Sequence, residues 1–314
     1  MAVRCPVTRL ADAAAEYLAL RRALGFKLYH HTWWLPDFVS YLEAHGSKVI
    51  TTELALSWSQ QPSGASPHWW SMRLAAVRQF AQHHRASDPR TEIPPADLLP
   101  DRRPQRLIMH LYTGDEIVAL MQAASRLKRR LLSASYATIL GLLAATGMRV
   151  SEALALDGDD IDWDRKRLTV RSSKFGKSRH VPLHDSTIDA LRAYARERDR
   201  LRPHRRNRAF FLSSVGTRVV LQNFWFVFRR LLRRTGLDRG PGRRPRIHDL
   251  RHSFAMTIVR DWYAAGVDVE RRLPWLSVYL GHVSPSTTYW YLTATPELLA
   301  LACQRAERAW KVRP

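Results

Sequence analysis

The chain has 314 residues, 46% of them hydrophobic, which is enough for two domains that each bury a core. Its formal net charge of +22 is lopsided: residues 1–100 hold 10 Lys/Arg against 8 Asp/Glu, and the rest hold 40 against 20. The longest apolar run, Ala137 to Ala145, is too short to cross a bilayer, no apolar signal segment opens the chain, and Cys5 and Cys303 are too few for a disulfide framework. Those features exclude a membrane-spanning or disulfide-stapled class and lead to the expectation of a reducing, cytoplasmic setting.

In chain order, Leu10, Ala14, Tyr17, Leu18 and Leu20 form an apolar stripe that predicts a helix ending near Gly25. Further helices are predicted from about Trp33 to Ala44, from Thr51-Thr52-Glu53 with Thr52 as N-cap, and from about Pro67 to His83. The tryptophans of this segment (Trp33, Trp34, Trp58, Trp69, Trp70) are expected in its core rather than as base-stacking platforms. Pro89, Pro94, Pro95, Pro100 and Pro104 then remove backbone donors and favour extended chain. The division expected is a helical domain at 1–88, a Pro-rich linker at 89–106 and a second domain at 107–314.

The second domain is predicted to open with a helix at Thr113-Gly114-Asp115-Glu116. Ser135 to Leu156 predicts one long helix, or two helices broken at Thr146-Gly147. Arg167–Ser172 and Arg179–Leu183 predict a β-hairpin whose tip carries Lys174, Gly176 and Lys177. Helices follow from about Asp185, Gln222, Asp249 and Asp268, with a last one from about Pro296 to Trp310. The fold class expected is mainly α with a small antiparallel β-sheet. Between Arg202 and Arg246 stand 13 arginines and one acid, Asp238. A stretch of one sign implies a polyanionic partner, nucleic acid first, with a solubilising or lipid-facing surface as the bland alternative.

Phosphodiester cleavage needs a nucleophile, a proton for the leaving oxygen and stabilisation of charge on the non-bridging oxygens. Arg149 and Arg251 each offer a bidentate fork, and fixed donors aimed at developing charge contribute roughly 3–4 kcal/mol each. Glu152, one turn after Arg149, can hold that guanidinium, although a buried structural Arg–Glu pair reads the same. A tyrosine is only about one part in a thousand ionised at pH 7, an activation cost of about 4 kcal/mol, so a base or positive field must assist it. His248 is the candidate base, His282 the candidate phosphate donor, and Lys174 the candidate acid. The acids from Asp157 to Asp164 are expected as turn and solvent residues. His248 and His252 could suggest zinc, but no third ligand or HExxH stands with them, so no metal and no cofactor is expected.

Taken together, these residues resemble the tyrosine recombinases, the phage-integrase and Xer-like family. Thr146-Gly147-Met148-Arg149-Val150-Ser151-Glu152 is similar to the family's first-arginine motif, and the Lys174 hairpin ending in Val181-Pro182-Leu183 to its lysine hairpin. His248-Asp249-Leu250-Arg251-His252 and Leu280-Gly281-His282 through Tyr291 resemble its two closing boxes. The resemblance covers roughly residues 110–295. It implies phosphate stabilisation by Arg149, Arg251 and His282, general acid catalysis by Lys174, base or positioning work by His248, and Tyr291 as nucleophile. Tyr289 is a second phenol two residues earlier; the nine-residue spacing from His282 favours Tyr291. The resemblance further implies a core-binding role for residues 1–88, double-stranded DNA as partner, a homotetramer on that DNA, sometimes with a partner recombinase, and carriage on a mobile element. Lys177, Arg179, Arg243 and Arg244 are expected to contact DNA, and the last helix to dock in a neighbouring subunit or in cis. A DNA-binding protein with an inert site and a relaxing type IB topoisomerase stay open as alternatives.

Overall fold

The computed structural model describes residues 10–99, 109–171, 178–204, 207–238, 240, 244–281, 288 and 300. The chain divides into two units, residues 1–107 and 108–314. The described part of the first consists of α1 (Leu10–Ala23), α2 (His31–Ala44), α3 (Thr52–Gln60) and α4 (Pro67–His84). Thr51, rather than Thr52, caps α3, its hydroxyl accepting the Leu54 N–H at 3.3 Å. Ser66 caps α4 in the same way, with Pro67 at the first helical position, where a missing N–H costs nothing.

Phe38, Leu42, Trp58, Val77 and Phe80 are fully buried at the centre of this bundle. The Trp58 indole donates to Asp37 Oδ2 at 2.9 Å, and the Arg73 guanidinium lies 3.7 Å over its ring. Trp34 is buried too, and Trp69 and Trp70 pack against the core. Trp33 departs from expectation at 76% exposed. The buried stripe of α2 runs Trp34, Leu35, Phe38, Val39 and Leu42, an i, i+4 pattern that leaves position 33 on the outer face.

Residues 92–99 of the expected linker pack on this bundle. Glu92 N donates to Ile50 O at 2.9 Å, Arg78 forks the carbonyls of Pro94 (2.6 Å) and Pro95 (2.7 Å), and Leu99 joins the core. Proline lacks a donor but keeps its acceptor, and Arg78 uses it.

The second unit begins with α5 (Gly114–Ser125), fixed by a reciprocal box in which Thr113 Oγ1 accepts Glu116 N and Glu116 accepts Thr113 N. Next come α6 (Arg130–Thr146) and α7 (Val150–Ala155), the break at Gly147 that the sequence offered as one option. Helix α6 starts five residues ahead of the expected Ser135, because Arg129 provides no side-chain cap to mark it. A 3-10 turn (Gly158–Asp160) leads into β1 (Ile161–Asp162), too short to show in sequence, and then β2 (Arg167–Val170) and β3 (Arg179–Pro182). Asp160 departs from the solvent role expected of it: it is buried in this turn and accepts the Asp157 N–H at 2.9 Å.

The sheet is antiparallel in the order β1-β2-β3, pairing Leu168 with Val181 and Val170 with Arg179. Then follow α8 (Asp185–Leu201), α9 (Leu221–Arg234), α10 (Ile247–Ala264) and α11 (Val269–Leu280). Leu168, Val170 and Val181 on the inner sheet face join Ile139 and Leu143 of α6 and Phe224 and Phe228 of α9 in one core. Helices α10 and α11 share a smaller core of Met256, Val259, Leu273 and Leu276. The fold is thus mainly helical with a small antiparallel sheet, as the sequence predicts. No described helix is long and apolar enough to cross a membrane. The hairpin tip at 172–177 lies outside the described residues, as does the expected last helix at 296–310 apart from residue 300.

Candidate active site

Two helices end in left-handed glycines beside one another, and their terminal carbonyls organise the site. Gly147 closes α6 with φ +60°, and Gly281 closes α11 with φ +67°. Arg251, buried on α10, donates from Nη1 to Gly147 O at 2.9 Å and from Nη2 to Leu280 O at 2.7 Å. Arg149, between α6 and α7, donates from Nη2 to Gly281 O at 2.8 Å. Unsatisfied carbonyls at a helix C-terminus carry partial negative charge, so guanidinium groups settle there without needing a carboxylate each. Leu280 and Gly281 are consecutive, so the two arginines, 102 residues apart in sequence, are brought side by side.

Both glycines hold a backbone that L side chains rarely adopt, and a Cβ on either would crowd a neighbouring side chain. A Cβ on Gly147 would stand 2.4 Å from Phe254 Cδ1, and one on Gly281 would stand 2.9 Å from Arg179 Nη1.

Glu152 binds Arg149 twice: Oε2 accepts its backbone N–H at 2.9 Å and Oε1 accepts Nη1 at 2.8 Å. The first bond satisfies an orphan donor at the start of α7; the second aims the guanidinium. The same carboxylate takes both prongs of Arg179, Nη1 to Oε1 at 3.0 Å and Nη2 to Oε2 at 2.8 Å. Burial alone would raise the Glu152 carboxyl, but the hydrogen bonds from Arg179 and Arg149 outweigh it and hold the pKa down to about 2. One carboxylate set among Arg149, Arg179 and Arg251 leaves a local net charge of about +2, which suits a phosphodiester whose charge grows in the transition state.

His248 opens α10 with one side to solvent. Its partial withdrawal from water, reinforced by Arg251, Arg246 and Arg149 against the opposing Asp249, lowers its pKa and keeps it neutral at pH 7. One turn on, the His252 ring meets it edge to face at 4.6 Å, and burial with the neighbouring His248 brings His252 down to about 4. Asp249 is buried, accepts the Arg246 N–H at 2.8 Å and binds its guanidinium at 2.9 Å, fixing the N-terminus of α10.

The structure therefore brings Arg149, Glu152, Arg251 and His248 into one cluster ending at Gly281, the residue before His282. Lys174, Lys177, Arg243, His282, Tyr289 and Tyr291 lie outside the described residues. Arg179, expected at DNA, instead points into the protein with its side chain 11% exposed. A signal for this was present: Arg179 and Val181 share a strand face by the two-residue period, so an inward Val181 carries Arg179 inward. Arg244, also expected at DNA, donates to Asp238 Oδ1 at 2.7 Å.

Comparison with known proteins gives the family. The model of the phage integrase family matches residues 111–297, more than half of the chain. A protein of Sinorhizobium fredii provisionally named integrase/recombinase y4rB is 44% identical over 96% of this chain and 98% of its own length. The tyrosine recombinase XerA of Pyrococcus horikoshii is 30% identical over 95% of this chain and 93% of its own. Among solved structures, the Tn1549 transposon integrase in complex with transposon right-end DNA superposes with a TM-score of 0.66 at 15% identity, covering 96% of this chain and 99% of that one. The XerH site-specific recombinase on its palindromic difH substrate gives 0.65 at 20% identity, covering 98% and 85%. Both likenesses are of fold. The chain belongs to the phage integrase family, the tyrosine recombinases. Its enzymatic class is accordingly that of a tyrosine-type site-specific DNA recombinase.

Proposed function

We propose that this recombinase cuts and rejoins double-stranded DNA at a specific site through a covalent 3′-phosphotyrosine, with no metal and no ATP, as part of a mobile element. The single observation that carries the proposal is the pair of guanidinium groups fixed on the consecutive carbonyls of Leu280 and Gly281, directly before His282. Arg149 and Arg251 bind the non-bridging oxygens of the scissile phosphate, with His282 as a further donor. The Tyr291 hydroxyl attacks phosphorus, giving its proton to the neutral His248 or to water. The P–O5′ bond breaks, and O5′ leaves with a proton from Lys174. One phosphodiester bond is exchanged for another, so the step runs backward when a 5′-hydroxyl attacks.

Residues 1–88 act as a second DNA-binding domain, with 107–314 as the catalytic domain. The XerH and Tn1549 proteins are described on DNA, which supports a DNA-bound multimer here, a homotetramer with or without a partner recombinase. Lys177 and Arg243 contribute phosphate contacts, and the segment at 296–310 joins subunits. The enzyme works where the DNA is, in the cytoplasm at the nucleoid.

The test is direct. Express the wild type and its Tyr291→Phe and Tyr289→Phe variants in cells carrying the native flanking DNA, lyse in detergent, and sequence the DNA that stays protein-linked. Linked DNA at one short site, lost only in Tyr291→Phe, is the expected result. Tight binding without linkage would favour a DNA-binding protein with an inert site, and linkage scattered over unrelated sequences would favour a relaxing topoisomerase.

A further inference from the structure

We infer that Arg179 is a positioning residue of the active site, an assignment that rests on the recombinase function proposed above: it holds Glu152, and through it Arg149, and ties the strand after the Lys174 hairpin to the end of α11. Three donors of one guanidinium make the tie. Nη1 and Nη2 fork onto Glu152 at 3.0 and 2.8 Å, and Nε donates to Tyr279 O at 2.9 Å. Each partner leads into the site. Glu152 grips Arg149, and Tyr279 stands two residues before Gly281, whose carbonyl Arg149 also holds at 2.8 Å. Arg179 itself stands on β3, the strand that returns from the hairpin bearing Lys174, at the position opposite Val170 on the inner face. One planar fork thus connects the segments that carry the first arginine, the hairpin and the lead into His282. A lysine at this place would keep the charge but lose the fork that matches a carboxylate.

A purely structural arginine could be replaced without changing how the reaction titrates; Arg179 cannot. Glu152 faces Arg149 from the start of α7 and Arg179 from β3, and Tyr279 of α11, whose phenol burial raises to about 12, stays neutral beside them. With Arg179 gone, burial acts on Glu152 against Arg149 alone, and its carboxyl takes up a proton at higher pH. A protonated Glu152 releases Arg149. The His248 titration is set first by burial and by Arg251, with Asp249 and Arg246 next and Arg149 last, so displacing Arg149 changes it little.

Full-length wild type, Arg179→Lys, Arg179→Met and Glu152→Gln are to be compared on a supercoiled plasmid carrying the native flanking DNA. The readouts are the rate of covalent complex formation from about pH 5 to pH 9 and, separately, DNA binding by gel shift. Arg179→Met is expected to lose about 10²-fold in rate while binding changes by about threefold or less, because a displaced Arg149 still meets DNA but no longer the transition state. The wild-type Glu152 carboxyl holds its charge down to about 2, below the assayed range. Arg179→Met is therefore expected to gain a loss of rate that grows towards pH 5 and that the wild type lacks, and Arg179→Lys recovers only part of the rate. A folded Arg179→Met with wild-type rate, or with a loss equal at every pH, overturns the assignment. Guanidinium 15N NMR of Arg149 decides the matter even if no DNA is cut, an outcome that would count against the recombinase function alone. The Arg149 side chain is slow to rotate in the wild type and averaged in Arg179→Met; a signal equally ordered in both overturns the positioning role.

Discussion

Replacing Gly147 with alanine attacks the turn that separates the two halves of the first-arginine motif. The backbone there has φ +60°, which an L side chain adopts at about 1–2 kcal/mol. The new Cβ would also stand 2.4 Å from Phe254 Cδ1, and that ring is itself stacked on Tyr279 with centroids 5.7 Å apart. Overpacking a site of this kind adds about 1–3 kcal/mol, so the substitution is expected to destabilise the second unit by about 2–5 kcal/mol. Gly236 isolates the first term: its φ is +70°, yet nothing stands within 4 Å of a Cβ built on it. Urea denaturation followed by circular dichroism, with hydrogen exchange on α6 and α10 to assign the transition to this unit, measures both variants. Gly147→Ala should unfold at lower urea than Gly236→Ala by the overpacking term. It should also cleave more slowly at temperatures where it is folded, since the Gly147 carbonyl holds Arg251 at 2.9 Å. Equal midpoints for the two variants would show that Phe254 yields without cost, and the packing explanation of this glycine would fall.

Arg149→Lys and Arg251→Lys keep a charge but not the fork, and each should slow covalent complex formation by about 10²–10³-fold with DNA binding largely retained, as read by detergent-trapped complex and gel shift. Stability should fall on acidification in two stages. Folded His252 titrates at about 4, whereas an unfolded imidazole titrates near 6.5, so between those values only the unfolded chain takes the proton and stability falls by about 1.4 kcal/mol per pH unit. Below about 4.5 the unfolded Glu152 carboxyl protonates while the folded one resists to about 2, which adds to the loss. Urea midpoints at a series of pH values should flatten in the upper window for His252→Asn; an unchanged slope would remove His252 as the cause. In the first unit, Trp58→Ala should destabilise by about 3–5 kcal/mol and Trp33→Ala by less than about 0.5 kcal/mol in thermal melts, since one is fully buried and the other lies on the surface.

The sequence made legible whatever depends on local pattern. Thr113 with Glu116 marked the start of α5, Thr146-Gly147 marked a break, and the spacing of Arg149 and Glu152 marked a pair one turn apart. Contacts between a side chain and a distant main chain left no trace. Nothing in the residues at 280 and 281 announces that their carbonyls seat two arginines, because every residue carries a carbonyl. Arg179 was misjudged for a different reason. A basic residue near a basic hairpin tip suggests DNA, but the two-residue period puts it on the face of the inward Val181, and the register with β2, which sets it opposite Val170, turns it to Glu152. Trp33 failed in the opposite sense, since composition counts tryptophans and only helical phase separates it from Trp34.

Because main-chain oxygens seat both arginines, the geometry of the clamp is recorded in the length of α11 more than in its lettering. Trp275 and Val278 on its outer surface are open to replacement as far as the seat is concerned. One residue inserted or deleted between Val269 and Leu280 would instead turn the helix end by about 100° and carry the carbonyls of Leu280 and Gly281 away from their guanidinium partners. In any redesign of this protein, substitutions along the outer face of α11 are a free variable and its residue count is a fixed one.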